Sequence, residues 1–140
     1  MKVLFASDGS DCSDRAARYL AGTLRRHADD LCVTLLHVDA PMLGGVVSAL
    51  GERRVAEIHH ENSGTALRAV RRRLKRARIR FDERHEVGNA AQHISRLAEK
   101  ERVDLIVMGS HGRTPLGSTL LGSVTMRVLA QCKVPVLVVR

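Results

Sequence analysis

Aromatic residues are nearly absent from this chain of 140 residues, which has no tryptophan, one tyrosine and two phenylalanines. Proteins that bind single-stranded nucleic acid stack its bases on aromatic rings, so this class is disfavoured. The core has to be built from valine, leucine, isoleucine and alanine, as is typical of parallel α/β sheets. Hydrophobic residues make up 44% of the chain, and its length predicts a single domain over residues 1–140.

Disulfide bonds, zinc sites and membrane spans also lack a basis in the sequence. The three cysteines are far apart, odd in number and without C-x-x-C spacing, a pattern typical of reduced thiols. No apolar run approaches the roughly 18 residues that a membrane span needs. The chain opens on strand-like Lys2–Phe5 rather than on a basic and apolar leader. We therefore expect a soluble cytoplasmic protein with no membrane partner and no protein-bound metal.

Positive charge is concentrated in one segment. Of a net charge of +8, the segment Arg68–Arg80 contributes eight basic residues and no acidic one. Such a run would suit nucleic acid or another anionic surface. The alternative that we favour is a solvated helix face, on which arginine and lysine stems cover apolar surface. A nucleic-acid-binding module at this segment is therefore a minor alternative.

Apolar strand patterns alternate with helical patterns along the chain. The predicted strands are Val3–Ala6, Cys32–Val38, Arg80–Val87, Val103–Met108 and Val134–Val139. Helical spacing of apolar residues predicts helices between them, including Glu52–Ala77 and Val124–Gln131. The Gly44–Gly45 pair marks a mobile stretch. The third strand is charged and only lightly apolar, so we expect it at a sheet edge.

Repeated β-α-β units with short connections imply right-handed crossovers. The predicted fold is thus α/β: a doubly wound five-stranded parallel sheet in the order 3-2-1-4-5, with helices on both faces. Such sheets bind ligands beyond the carboxyl ends of the strands, where the strand order reverses. Strands one and four meet at this point, and they end in Ala6-Ser7-Asp8 and Met108-Gly109.

The segment that follows the fourth strand reads GSHGRTPLGSTLLGSVT. Its glycines Gly109, Gly112 and Gly122 are spaced as G-x2-G-x9-G-S, and Ser123-Val124-Thr125 opens the last helix. Glycine lets a ligand approach the main chain closely. The amides and partial positive charge of a helix N-terminus favour phosphate. Glycines that only form turns and caps would not explain Gly122 directly before Ser123, so we predict a phosphate-binding loop.

The whole chain resembles the universal stress protein family, in particular its ATP-binding branch. The resemblance rests on VLFASDGS, LLHVDAP, HEVGNAAQHI, DLIVMGSHGRTPLGSTLLGSVT and PVLVV, and the glycine spacing is its most specific part. It implies an adenine nucleotide alpha hydrolase-like domain, usually dimeric, that binds ATP.

The same resemblance implies which residues hold the nucleotide. The glycine loop would hold ribose and phosphates, the end of the first strand would border the adenosine, and Val38 would pack on the adenine. The candidate ATP-binding residues are Ala6, Ser7, Asp8, Val38, Met108, Gly109, Gly112, Arg113, Gly122, Ser123, Val124 and Thr125.

Two of these side chains have alternative roles. Asp8 would accept hydrogen bonds from both hydroxyls of a ribose, or it would cap the following helix. We favour the ribose, because Ser10 and Ser13 lie closer to that helix and cap it without Asp8. Arg113 would either reach a phosphate with its guanidinium or lie in solvent. His111 is expected as a loop residue rather than as a general base.

No catalytic constellation accompanies the loop. Phosphoryl transfer needs metal ligands, a base and a charge clamp, and the segment Gly109–Arg140 contains no acidic residue. Mg²⁺ or Mn²⁺ would be carried by the phosphates with water completing the shell. We predict an ATP-binding, nucleotide-dependent regulator or sensor in the stress response. The sequence does not identify its protein partner. The alternative is a slow ATPase or phosphotransfer protein.

The last strand predicts self-association. Pro135 has no amide to donate, which suits an edge strand, and the apolar run Val136–Val139 follows it. An exposed edge invites pairing with another chain. We therefore expect a homodimer through Val134–Val139, unless the edge is protected simply by its shortness.

Overall fold

One parallel sheet forms the centre of the molecule. The computed structural model describes residues 1–28, 30–112 and 121–140. The described strands are β1 (Lys2–Ala6), β2 (Cys32–Asp39), β3 (Arg80–Val87), β4 (Leu105–Gly109) and β5 (Val136–Val139). All pairs are parallel and the order is β3-β2-β1-β4-β5. The predicted doubly wound α/β sheet is confirmed, with β3 at one edge.

Helices cover both faces of this sheet. They are α1 (Asp11–Tyr19), a π-helical turn (Leu20–Leu24) leading into α2 (Arg25–His27), α3 (Gly44–Leu50), α4 (Glu52–Arg76), α5 (Ala90–Glu101) and α6 (Ser123–Gln131). Alternate residues of a strand face opposite sides. Val3 and Phe5 therefore pack with α1 and α4 in one core, and Leu4 packs with α5 and α6 in the other. The bounds of α4 and α6 lie within one residue of the prediction.

Two strands begin later than the apolar pattern predicts. The amide of Val103 still bonds to the carbonyl of Ala98 at the end of α5 (3.1 Å), so β4 begins two residues further on. Pro135 has no amide, and only its carbonyl accepts a hydrogen bond from Ile106 (2.9 Å). The strand predicted from Val134 is for this reason shortened to β5.

The expectation of a mobile stretch at Gly44–Gly45 is wrong, because these two glycines begin α3. The amides of Val46 and Val47 donate to the carbonyl of Leu43 at 2.9 and 3.1 Å, which closes the first helical turn. Glycine has a low helix propensity. The helix forms here nevertheless, next to the start of α4.

Ion pairs within the described part of the chain use three of the eight basic residues between Arg68 and Arg80. Arg71 binds both carboxylate oxygens of Glu83 on β3 at 2.6 and 2.8 Å. Arg73 binds Asp14 on α1 at 2.7 and 2.8 Å, and its guanidinium lowers the pKa of that carboxyl below the ordinary value. Arg80 contacts Asp30. Arg71 and Arg73 thus fix α4 against β3 and α1.

Candidate functional site

A cavity of about 400 Å³ opens at the carboxyl ends of β1, β2 and β4. It lies where the strand order reverses, which is the position that doubly wound sheets use for ligands. Every predicted site residue that the structure describes lines this cavity: Ala6, Ser7, Asp8, Val38, Met108, Gly109, Gly112, Gly122, Ser123, Val124 and Thr125. Arg113 lies outside the described residues.

The N-terminus of α6 forms one wall. Gly122 takes the N-cap position with an extended backbone and provides no side-chain cap. The first intrahelical bond runs from the Met126 amide to the Gly122 carbonyl at 3.0 Å. The amides of Ser123, Val124 and Thr125 therefore precede the helical ladder and lack partners within the helix. This wall presents hydrogen-bond donors and the positive end of a helix dipole to an anion.

Thr125 ties this helix to the end of β4. Its side chain is buried, and its hydroxyl donates to the carbonyls of Gly109 (3.1 Å) and Ser110 (3.4 Å). The amide of Gly122 donates to the carbonyl of Ser110 at 2.8 Å. These bonds fix the direction of the helix start. The Thr125 hydroxyl thus has a positioning role within the protein.

Two glycines of the loop allow close contacts within the protein itself. A methyl group at Gly109 would lie 2.8 Å from the backbone carbon of Cys12, where the strand meets the start of α1. A methyl group at Gly112 would lie 2.8 Å from Oδ2 of Asp8. Distances below 3.0 Å between such atoms are not tolerated without a shift. Close approach of a ligand is the reason predicted from the sequence for these glycines, and the contacts with Cys12 and Asp8 are a second reason.

Asp8 lies opposite the helix start and belongs to a serine network. Its Oδ1 accepts hydrogen bonds from the Ser10 amide (3.0 Å) and from the Ser13 hydroxyl (2.7 Å). Burial raises the pKa of Asp8, but these hydrogen bonds outweigh it and hold the pKa below the ordinary value. Ser10 caps α1 by accepting from the Ser13 amide at 3.3 Å. Asp8 therefore supports the cap and is ionised at neutral pH, while its contact with ribose stays a prediction.

The end of β2 supplies residues that the sequence analysis did not select. His37 and Asp39 flank Val38 and also line the cavity. Asp39 Oδ2 lies 2.7 Å from both His59 Nδ1 and Asn62 Nδ2 of α4. Burial raises the pKa of Asp39, but the hydrogen bonds from Asn62 and His59 hold it below the ordinary value. A carboxylate therefore stands beside the predicted adenine position.

Other lining residues come from several elements. They are Ser13, Leu36, Ala40, Ala90, Ile94 and His111. Ala90 and Ile94 lie in the first turns of α5, directly after β3. Both residues could have been predicted from the sequence, because they follow the end of a strand. The connections that leave the carboxyl ends of parallel strands meet at one edge of the sheet.

Metal-binding clusters and membrane-spanning helices are both absent from the described part of the chain. No group of three or more histidine, cysteine, aspartate or glutamate side chains is placed there to hold a metal ion. Likewise, none of the helices within residues 1–28, 30–112 and 121–140 is long and apolar enough to cross a membrane.

Comparisons with known proteins agree in one family. The family model described as the universal stress protein family matches residues 1–140. Universal stress protein MJ0531 of Methanocaldococcus jannaschii is 32% identical over 139 residues, which are 99% of this chain and 81% of that protein. A universal stress protein of Thermus aquaticus is 34% identical over 150 residues, covering 99% of this chain and 97% of the relative.

One similar solved structure contains a bound nucleotide. A universal stress protein in complex with cAMP superposes with a TM-score of 0.73 at 26% identity, covering 100% of this chain and 97% of that one.

Proposed function

The chain belongs to the universal stress protein family, and we propose that it binds ATP in the cavity between β1 and β4 and acts as a nucleotide-dependent regulator in the cytoplasm. The observation that carries the proposal is the start of α6, where three amides without intrahelical partners line the cavity. Several convergent donors are needed, because one contact with a helix terminus contributes only about 0.3–2 kcal/mol.

The cavity has a different chemistry at each end. Phosphates would lie at Gly122–Thr125, where donors and partial positive charge converge. The adenosine would lie toward Asp8 and the end of β2, because carboxylates repel phosphate but accept hydrogen bonds from hydroxyl and amino groups. The volume of about 400 Å³ falls in the range of small-molecule sites. A related protein solved with cAMP, an adenine nucleotide, supports this class of ligand.

The divalent ion would arrive with the nucleotide. Mg²⁺ keeps several of its waters and is commonly held through substrate phosphates. In this proposal Mg²⁺ or Mn²⁺ is carried by the triphosphate, and the protein binds the phosphates. The three cysteines are free thiols, which agrees with the proposed cytoplasmic location.

The test of the ribose assignment uses Asp8→Asn. The Oδ1 of asparagine still accepts from Ser10 and Ser13, whereas the second oxygen becomes an NH₂ group. We expect ATP affinity to fall by about tenfold, because one charge-assisted hydrogen bond contributes about 1.4 kcal/mol or more. Calorimetric titration with ATP measures the change.

The matched ligand is 2′,3′-dideoxy-ATP, which lacks both ribose hydroxyls. The Asp8→Asn substitution should leave its affinity within about twofold, because the analogue has no group for Asp8 to bind. Equal losses for both ligands would show that Asp8 acts only through the α1 cap. If the unchanged protein does not bind ATP, the proposed function is wrong.

Self-association through Val134–Val139 is the second part of the proposal. The edge strand β5 consists of four half-buried apolar residues. The carbonyls of Pro135 and Val139 accept hydrogen bonds from the β4 side at 2.9 and 2.8 Å. The backbone amides and carbonyls of successive residues point to opposite sides of a strand. The amides and carbonyls of Val136 and Val138 therefore point away from β4. A second copy would pair with this free edge.

The dimer prediction is tested by sedimentation equilibrium. We expect a mass twice that of one chain. Val138→Pro removes an outward amide while keeping the ladder to β4, so we expect it to give a folded monomer. A monomeric unchanged protein, or a dimer that withstands this substitution, would contradict the strand-pairing interface.

A further inference from the structure

Three histidines from three different elements lie together where α4 packs on β2 and β3: His37 is buried, whereas His60 and His85 are exposed. His37 of β2 and His85 of β3 are register partners in adjacent strands, so their side chains project to the same face. His60 of α4 packs against His85 from above, with ring centroids 6.0 Å apart and an angle of 63° between the rings. None of the three was a candidate site residue.

His37 is the buried member of this cluster. Only 1% of its surface is exposed, and Nδ1 lies 2.8 Å from the carbonyl oxygen of Ser7. A carbonyl only accepts, so Nδ1 carries the proton. Nε2 is buried and has no hydrogen-bond partner among the described residues. A proton on Nε2 would place a donor in the interior without an acceptor there, which is unfavourable.

His85 faces more positive than negative groups. Burial lowers the pKa of His85 below its ordinary value, and His60, His37 and Arg71 lower it further. Glu83 opposes this effect, with Oε2 3.9 Å from His85 Nε2. Both oxygens of Glu83 are already held by Arg71 at 2.6 and 2.8 Å. The carboxylate therefore compensates a charge on His85 only in part.

The cluster shares contacts with the loop that borders the cavity. Ser7 accepts from His37 through its carbonyl, and its hydroxyl donates to the carbonyl of Ala66 on α4 at 3.4 Å. Gly9 lies against the same residue, since a methyl group placed there would meet the Ala66 Cα at 2.9 Å. A movement of α4 at this level therefore reaches the loop Ser7–Gly9.

We propose that His37, His60 and His85 form a proton-sensitive cluster whose protonation loosens α4 from β2 and β3 and releases the loop Ser7–Gly9. Adjacent imidazolium ions repel each other beside Arg71, and a proton on His37 finds no acceptor among the described residues. The proposal goes beyond nucleotide binding and holds for the protein without ligand.

The direction of the pH effect follows from proton uptake. An unperturbed histidine takes up a proton at about pH 6.5. In the folded protein the pKa of His85 lies below its ordinary value. Below about pH 6.5 the unfolded chain therefore binds a proton at this residue more readily than the folded protein does, so stability falls as the pH falls.

The experiment is urea unfolding of the ligand-free protein between about pH 7.5 and about pH 5.5, a window above the titration of most carboxylates. We expect a lower urea midpoint at the acidic end. His85→Gln should lose at least half of this difference, since glutamine takes up no proton. His27→Gln, at the exposed end of α2, is the control and should keep the whole difference.

Two results would overturn the proposal: an unfolding midpoint that is constant or rises toward the acidic end, and a full pH dependence in His85→Gln. If that variant does not fold, the ring protons of the unchanged protein are followed by NMR. A titration midpoint for His85 below about pH 6.5 supports the cluster, and a midpoint at or above this value contradicts it. ATP affinity is not part of either readout, so failure here leaves the proposed function untouched.

Discussion

Gly122→Asp is expected to weaken ATP binding by at least about 100-fold while the protein stays folded. Aspartate is among the best N-cap residues, and its carboxylate accepts hydrogen bonds from the amides at the second and third helical positions. At Gly122 these are the amides of Val124 and Thr125, the donors proposed for phosphate. The new carboxylate would both occupy the donors and repel the triphosphate. A 100-fold loss corresponds to about 2.7 kcal/mol, which two such effects together supply.

The controls separate crowding, occupancy and charge at the same position. A methyl group at Gly122 would lie 3.2 Å from the Ser110 carbonyl oxygen and 3.3 Å from the His111 Cα, so some crowding is expected in every variant. Gly122→Ala adds only this crowding. Gly122→Asn adds a neutral cap that occupies an amide, and it should lie between alanine and aspartate in affinity. Its remaining difference from aspartate should shrink at high salt, because only the charge term is screened.

Calorimetry with ATP measures the affinity of each variant, and urea unfolding without ligand checks that each variant is folded. An unchanged affinity in Gly122→Asp would show that phosphate does not bind at the start of α6. An equal loss in Gly122→Ala would assign the effect to crowding of the loop instead. The first result would move the proposed phosphate position away from this helix, and the second would remove the support that charge and amide occupancy give to it.

The strand order was predictable because it depends on features that repeat along the chain. Apolar runs marked each strand, and the helices between them required right-handed crossovers. From this order the cavity between β1 and β4 follows, together with Asp8 and Gly109 at its rim. These are local patterns and one general rule of connection. No contact between distant residues had to be known.

Contacts between distant residues explain what the sequence did not predict. Asp39 meets His59 across 20 positions, and the nearest neighbour of a side chain at Gly112 is Asp8, more than a hundred positions earlier. Nothing in the local pattern of either segment identifies its partner. The helix α3 was missed for another reason, since its two glycines disfavour a helix.

Gly9→Ala is expected to destabilise the fold by about 2–5 kcal/mol. Gly9 has φ +79, a conformation that costs an alanine about 1–2 kcal/mol. Its new methyl group would also lie 2.9 Å from the Cα of Ala66, which is backbone in the middle of α4 and has no side-chain freedom to yield. Overpacking of this kind costs about 1–3 kcal/mol. Because a domain of this kind is stable by only about 5–15 kcal/mol, the effect is a large part of the total.

Two other glycines serve as references. Gly51 has φ +78 and ψ 152, a conformation that is essentially restricted to glycine, and nothing lies within 4 Å of an added methyl group, so Gly51→Ala should show a conformational cost without crowding. Gly64 lies inside α4, two residues before Ala66, with open space and no positive φ. Gly64→Ala should therefore stabilise the protein by about 0.5–1 kcal/mol. Urea unfolding should place Gly9→Ala and Gly51→Ala below the unchanged protein and Gly64→Ala above it. If Gly9→Ala destabilises the fold by no more than the conformational cost of about 1–2 kcal/mol, the loop Ser7–Gly9 does not rest on α4, and the mechanical link from the histidine cluster to the cavity is lost with it.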